Sequence, residues 1–383
     1  MRFFFPHKRT FFDNKTSLFG KQDTLERILL AFFIFAMPLF SLLSHPRAFV
    51  AACVLFLLLL ALHDKRKISI EGREGRFYIL FLATVLAGAF KAGAAKDSLL
   101  FFVIALSGIL PLLFPEAKRI FSQALSLSGG ACGALAVWEY TTGHALALWS
   151  DSERFGALSR ASAPFGNPNV LGAFLSVCLI FALHEARRAL RTGGWTVYAV
   201  CFFLSLGGLL LSYSRGAWLG AAVGVLFYLG RSLWEKKRRG GLAFYAFAPL
   251  SSFLSRAFSV FSPDSSVSYR FSLWKSVLSL PLPPLLFGVG EGKQALLSLL
   301  SPYMAAGLER IEHTHSLFFH ILTAEGVLGL FLFLIFLYFH FKRKGGHAAC
   351  DGALLSLLCY GIFDDPLYNG QLGVIFWFLA NVN

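Results

Sequence analysis

Long apolar runs separated by short polar connectors dominate the chain. Runs over 28–44, 47–62, 77–95, 98–115, 120–141, 168–185, 195–213, 216–234, 241–258, 316–341 and 348–363 each read as a helix able to cross a membrane, with a weaker one near 367–381. Several exceed the ~18 apolar residues that signal a spanning helix. The pattern predicts an all-α polytopic membrane protein of about twelve transmembrane helices, or eleven if the last, short run does not count. The run at 241–258 is broken by Pro249 and serines. A transmembrane β-barrel would show short segments of period-two alternation, and none appears.

Composition agrees with the pattern. Charged residues make up 15% of the 383 residues, hydrophobic residues 56%, and mean hydropathy is +0.63. Soluble domains carry about 25% charged residues. Disorder and a collagen-like chain are excluded by the same composition.

The net charge of +14 would suggest nucleic acid in a soluble protein. Here the basic residues punctuate the apolar runs, so they read as topology, and no nucleic-acid partner is expected. With the N-terminus in the cytoplasm and the twelve runs alternating, 24 of the 35 Lys and Arg fall on the cytoplasmic side. That bias supports the orientation and the ninth run, whose removal would invert everything downstream. The resulting organisation is a cytoplasmic leader at 1–27, nine helices over 28–258, a large non-cytoplasmic loop at 259–315 and three helices over 316–383. A second long non-cytoplasmic loop lies near 142–167. The Phe-rich leader is broken by Lys8, Arg9, Asp13, Lys15, Lys21 and Asp23, so it does not read as a cleavable signal peptide. The six cysteines fall in apolar runs without metal-type spacing and read as small buried hydrophobes.

Long loops carry function more often than short connectors. The loop at 259–315 predicts an amphipathic helix over Tyr269–Leu280, then Pro281–Pro284 and Gly288-Val-Gly290. Arg270 and Trp274 are four apart and share one helix face. Ser212-Tyr-Ser-Arg215-Gly216 places Arg215 at the outer membrane–water boundary. Each arginine has a plain reading as an interfacial anchor and a functional one as an anion clamp. Arginine is permanently charged, and its planar fork fits phosphate oxygens. A pyrophosphate has oxygens enough for two.

His313-Thr-His315-Ser316 runs into the tenth helix, above Gly326 and Gly329. At 100° per residue Gly326 lies about 20° from the azimuth of His315 and Gly329 about −40°. His315 is therefore expected to crown a small-residue stripe, starting at Ser316, that lets another helix approach. At a helix N-terminus the dipole favours neutral imidazole, the form that acts as a base. A structural histidine is the plain alternative, and His313 is a rival base. Upstream, Arg160 precedes Asn167-Pro168-Asn169, a helix-start signal. Arg160 is a candidate third cation, with Asn169 beside it. Asp364-Asp365-Pro366 closes the eleventh run, either as a solvated helix end or with one acid orienting an arginine or histidine.

No Walker A, strand-borne GxGxxG, HExxH or nucleophile-elbow motif appears. A nucleotide donor is not expected. A transporter would need ionisable residues at the midplane; here they cluster at helix ends, with few deep ones such as Glu139.

These motifs together resemble the O-antigen ligase and polymerase family of bacterial envelope proteins. Ser212-Tyr-Ser-Arg-Gly, Tyr269-Arg270 with Trp274 and Gly288-Val-Gly290, and Asn167-Pro-Asn169 look like its core pattern. His315-Ser316, nine residues, Gly326-Val-Leu-Gly329 fits its ligase signature. The resemblance implies a GT-C-like, metal-independent glycosyltransferase without a cofactor, in the bacterial inner membrane with its site facing the periplasm. The implied donor is an undecaprenyl-pyrophosphate-linked glycan and the implied acceptor a lipid A–core sugar. His315 would be the base, and Arg215 and Arg270 the pyrophosphate ligands. A polymerase on the same scaffold remains the close alternative.

Overall fold

The computed structural model describes residues 19–63, 72–91, 93–114, 116–144, 160–238, 265–303, 311–343 and 346–382. Every regular element among them is helical. In chain order these are α1 (Phe19–Ala36), α2 (Pro46–His63), α3 (Gly72–Gly88), α4 (Ala95–Ala105), α5 (Leu110–Leu113), α6 (Ala117–Thr142), α7 (Pro168–Ala189), α8 (Trp195–Leu211), α9 (Arg215–Arg238), α10 (Ser265–Leu278), α11 (Leu282–Phe287), α12 (Lys293–Leu300), α13 (Leu317–Lys342), α14 (Ala348–Tyr360) and α15 (Gly370–Asn381). Short 3₁₀ turns extend α1 and join α4 to α5. Among the described residues, seven helical stretches are long and apolar enough to cross a membrane; α8, α14 and α15 are shorter apolar helices. The expected leader and the run at 241–258 lie outside the described residues, apart from the start of α1. The protein is a multi-pass helical membrane protein.

Large apolar side chains project outward from the peripheral helices, including Phe32, Phe56, Leu59, Phe203 and Phe331. Such a surface suits lipid. The interior is built on α7 and α15. All twelve residues of α15 are buried, so the weakest of the apolar runs forms a central helix. A helix apolar on every side belongs in the middle of the molecule. Its first turn is held from within. Asn369 accepts from the Leu372 amide (3.0 Å), and Gln371 donates to Ser41 Oγ (2.8 Å).

Small residues bring α9 and α14 close. A Cβ on Gly224 would overlap the Gly352 carbonyl, and one on Gly352 would meet the Gly224 carbonyl. At the far end of α9 from Arg215, Arg231 pairs with buried Asp351 of α14. This fixes the rotation of the two helices about one another.

The described part of the loop at 259–315 is folded. Leu273, Val277 and Leu280 form a small core with Leu296, Leu300 and Ile311, against Phe319 and Leu322 of α13. The amphipathic helix expected over Tyr269–Leu280 is present as α10, beginning at Ser265. It lies on the protein, because Trp274 turns inward, donates to the Thr314 carbonyl (3.0 Å) and stacks on Phe319.

The helix reckoned as continuous below His315 is interrupted. Gly326 in α13 has φ 76° and ψ −175°, far from helical values. The carbonyls of Thr323 and Ala324 accept instead from the amides of Val289 (2.9 Å) and Gly290 (2.8 Å). The interlock is reciprocal. A Cβ on Gly288, itself at φ 65°, would overlap the Ala324 carbonyl, and one on Gly326 the Leu286 carbonyl. Azimuths counted past Gly326 therefore do not apply. Gly326 receives a loop where the stripe predicted a helix, while Gly329 faces Thr84 of α3. Backbone inserted into a helix ladder is a known source of kinks.

Candidate active site

The site forms where the first turns of α7, α9 and α13 meet the α14–α15 corner. Each approach is held by a buried polar bond. Glu139 of α6 accepts from the amides of Ser162 (2.6 Å) and Ala163 (2.7 Å), fixing the segment after Arg160. Asn167 caps α7 through the Asn169 amide (2.9 Å). Leu317, the first residue of α13, donates to the carbonyls of Gly361 (2.8 Å) and Asp364 (3.2 Å).

This scaffold brings Arg160, Arg215, Arg270, His313, His315, Asn169 and Asp364 into one region. Arg160 donates to Asn169 Oδ1 and to the Ser212 carbonyl, both at 2.9 Å, joining the start of α7 to the α8–α9 turn. Burial first, then the charges of Arg270 and Arg215, pull the Arg160 guanidinium down to about 10. Three guanidinium groups thus lie near enough to oppose one another's charge. Asp364 partly offsets them, its Oδ2 3.9 Å from Arg270 Nη2. Arg270 Nε is buried and has no hydrogen-bond partner among the described residues. Concentrated positive charge with an unpaired guanidinium donor is chemically suited to an anion. Arg215 opens α9, so the helix dipole adds to the same attraction.

His315 lies two residues before the first turn of α13, at φ 51°. Tyr213, two residues before Arg215, has φ 48°. These are the two non-glycine residues with positive φ among the described residues, and both flank the site. Left-handed backbone at non-glycine residues is unfavourable and clusters at functional positions. The Nδ1 of His315 faces Asp364 Oδ1 at 3.4 Å, and the ring meets Tyr269 edge-on at 5.9 Å. Ser316 sits behind, its Oγ directed to the Gly361 carbonyl (3.4 Å).

The acidic pair is buried rather than solvated. Burial raises the Asp364 carboxyl, but the His315 hydrogen bond and the charges of His315, His313 and Arg270 hold it well below the usual carboxylate range. Burial acts the same way on Asp365, and His320, by charge and hydrogen bond, outweighs it. Nδ1 of His320 is 2.6 Å from Asp365, and its Nε2 is 2.8 Å from Glu291. Asp365 was raised from the sequence only as a partner of Asp364, and His320 and Glu291 were not among the candidates. Their spacing in the chain carries no motif, and only the loop inserted at Gly326 brings Glu291 to α13.

His313 is engaged on several sides. Its Nδ1 accepts from the His315 amide (3.2 Å). Its ring stacks on Tyr368 (4.6 Å) and approaches His315 (4.1 Å). Burial, followed by the His315 charge, lowers it to about 4. His313, His315 and Asp364 also offer ligand atoms within 4.8 Å of one another and could hold a metal ion. The Nδ1 atoms are already directed at the His315 amide and at Asp364, which suits an oriented base better than a ligand set.

A cationic cluster therefore lies beside a carboxylate-oriented imidazole at one end of the helical bundle. The family model described as O-Antigen ligase matches residues 200–334. The matched segment runs from α8 into α13 and includes Arg215, Arg270, Gly288, Gly290, His315, Gly326 and Gly329; Arg160, Asn169 and Asp364 lie outside it. Over those residues the chain is similar to the O-antigen ligase family. No curated protein matches the chain.

Proposed function

We propose that the protein is an O-antigen ligase-type glycosyltransferase of the bacterial inner membrane. It moves a glycan from undecaprenyl pyrophosphate to a hydroxyl of a lipid A–core sugar on the periplasmic face. The observation that carries this reading is the convergence of Arg160, Arg215 and Arg270 on a histidine paired with a buried aspartate.

With Asp364 ionised, His315 is favoured in the Nδ1–H tautomer, which leaves its Nε2 lone pair free to take a proton. The acceptor hydroxyl oxygen attacks the anomeric carbon as its proton passes to Nε2. The bond from that carbon to the pyrophosphate oxygen breaks, and its electron pair leaves with undecaprenyl pyrophosphate. Arg215 and Arg270 meet the charge that develops on the leaving group, with Arg160 reinforcing the field. One displacement inverts the anomeric centre. Neither a nucleotide nor a metal ion is required.

The test is reconstitution of purified protein with lipid-linked glycan and lipid A–core, in the presence of EDTA and without nucleotide. Glycan on lipid A–core is the expected product. Lengthening of the lipid-linked glycan instead would identify a polymerase. Absence of transfer to every acceptor would favour the transport of lipid or polysaccharide.

A further inference from the structure

A cleft opens behind the His313 ring. Its wall includes Arg47, Glu291, Glu312, His313, His320 and Tyr368. Arg47, in the first turn of α2, is far from the other site residues in sequence. Its guanidinium lies over the Tyr368 ring at 5.1 Å. Tyr368 stacks in turn on His313 (4.6 Å), and His313 on His315 (4.1 Å). A column of planar groups therefore runs from the cleft to the proposed base.

The charges of the cleft are unevenly matched. Glu291 is paired with His320 at 2.8 Å, and Glu312 lies 3.8 Å from Lys293. Burial keeps His313 neutral above about pH 4. Arg47 is the exception. Its Nε and Nη2 are buried and have no hydrogen-bond partner among the described residues. These two donors point along one edge of a guanidinium, the edge that receives two oxygens of a phosphate or carboxylate. The face of the same group is used by Tyr368, so the edge remains for a ligand.

We propose that this cleft is a subsite for an anionic sugar of the acceptor, with Arg47 holding its phosphate or carboxylate. The proposal rests on the glycosyltransferase reading above and adds the chemical class of the acceptor. Tyr368 and His313 lie between Arg47 and His315, so the bound anion is held apart from the reacting hydroxyl. The arginine cluster on the other side of His315 is left to the donor. The subsite thereby sorts acceptor from donor by which arginine each engages.

The test uses the purified full chain and three probes: glucose 6-phosphate, glucuronate and glucose. The two anionic sugars should raise the melting temperature and glucose should not. Arg47→Ala should remove the shift, Arg47→Lys should retain part of it, and Arg215→Ala and Arg270→Ala should retain it fully. In transfer assays Arg47→Ala should raise the KM of an acidic acceptor about tenfold and leave the KM of the donor unchanged. Loss of the shift in Arg215→Ala with survival in Arg47→Ala would place the anion in the donor site and overturn the proposal. Wild-type protein that transfers glycan yet responds to neither anionic probe would overturn the subsite alone. Wild-type protein that binds the probes and transfers nothing would overturn the acceptor role together with the proposed function.

Discussion

Nδ1 of His315 faces Oδ1 of Asp364 at 3.4 Å, although 48 residues separate them in the chain. The amide of Leu317 donates to the Asp364 carbonyl, so backbone and side chain both hold the imidazole to the α14–α15 corner. Asp364→Asn keeps the shape and loses the charge. In a comparable base–carboxylate pair that change costs orders of magnitude by favouring the wrong tautomer. The expected outcome here is a fall in kcat on the order of 100-fold or more, read in the reconstituted transfer assay. An unchanged kcat would remove Asp364 from the mechanism.

Arg215→Ala and Arg270→Ala should act on the donor. A hydrogen bond to a charged group contributes about 1.5–3 kcal/mol, which corresponds to roughly a tenfold to 100-fold rise in donor KM. Lysine should recover little at either position, because an ammonium lacks the planar fork. Donor titrations at fixed acceptor would check this. Equal donor dependence in wild type and variants would argue against a pyrophosphate site.

The interlock of Gly288 with Gly326 gives a stability prediction. Both residues have positive φ, and a Cβ on either would overlap a carbonyl of the other segment. Gly288→Ala or Gly326→Ala should lower stability by about 1–3 kcal/mol or more. Thermal unfolding in detergent would read the change. It should be accompanied by loss of transfer, since Glu291 and the cleft wall ride on the same loop.

The expectations drawn from hydropathy located every long helix that the structure describes, because burial in lipid or in the interior demands the same apolar runs. They understated α15, since a short run with Asn369 and Gln371 looks weak until its polar groups are seen capped from within. Arg215 and His315 drew attention in the sequence because each lies next to a helix start, and Arg270 because it shares a helix face with Trp274. Three features did not. Periodicity assumes an unbroken helix, so it could not anticipate the loop received at Gly326. The adjacent acids read either as a solvated end or as one acid orienting an arginine or histidine, and nothing local indicated that His315 and His320 would draw both Asp364 and Asp365 inside. Arg47 lies in the first turn of an unremarkable apolar helix, and only the tertiary fold sets it against Tyr368.

His313 makes stability depend on pH. Its folded value is about 4, against about 6.5 for an unfolded histidine. The folded state therefore binds fewer protons between those values, and stability present above pH 6.5 is lost as pH falls toward 4. The loss attributable to this residue is about 2 kcal/mol at pH 5. His313→Gln should flatten that part of the curve when melting temperatures at pH 7 and pH 5 are compared. An unchanged slope would mean that other groups dominate.

The central claim is that His315 takes the acceptor proton. Single-turnover transfer by His315→Ala, with saturating lipid-linked donor and lipid A–core, tests it most directly. The account predicts a rate lowered at least about 100-fold, in a protein that remains membrane-inserted and still binds donor through its arginines. Transfer at the wild-type rate by that variant would contradict it.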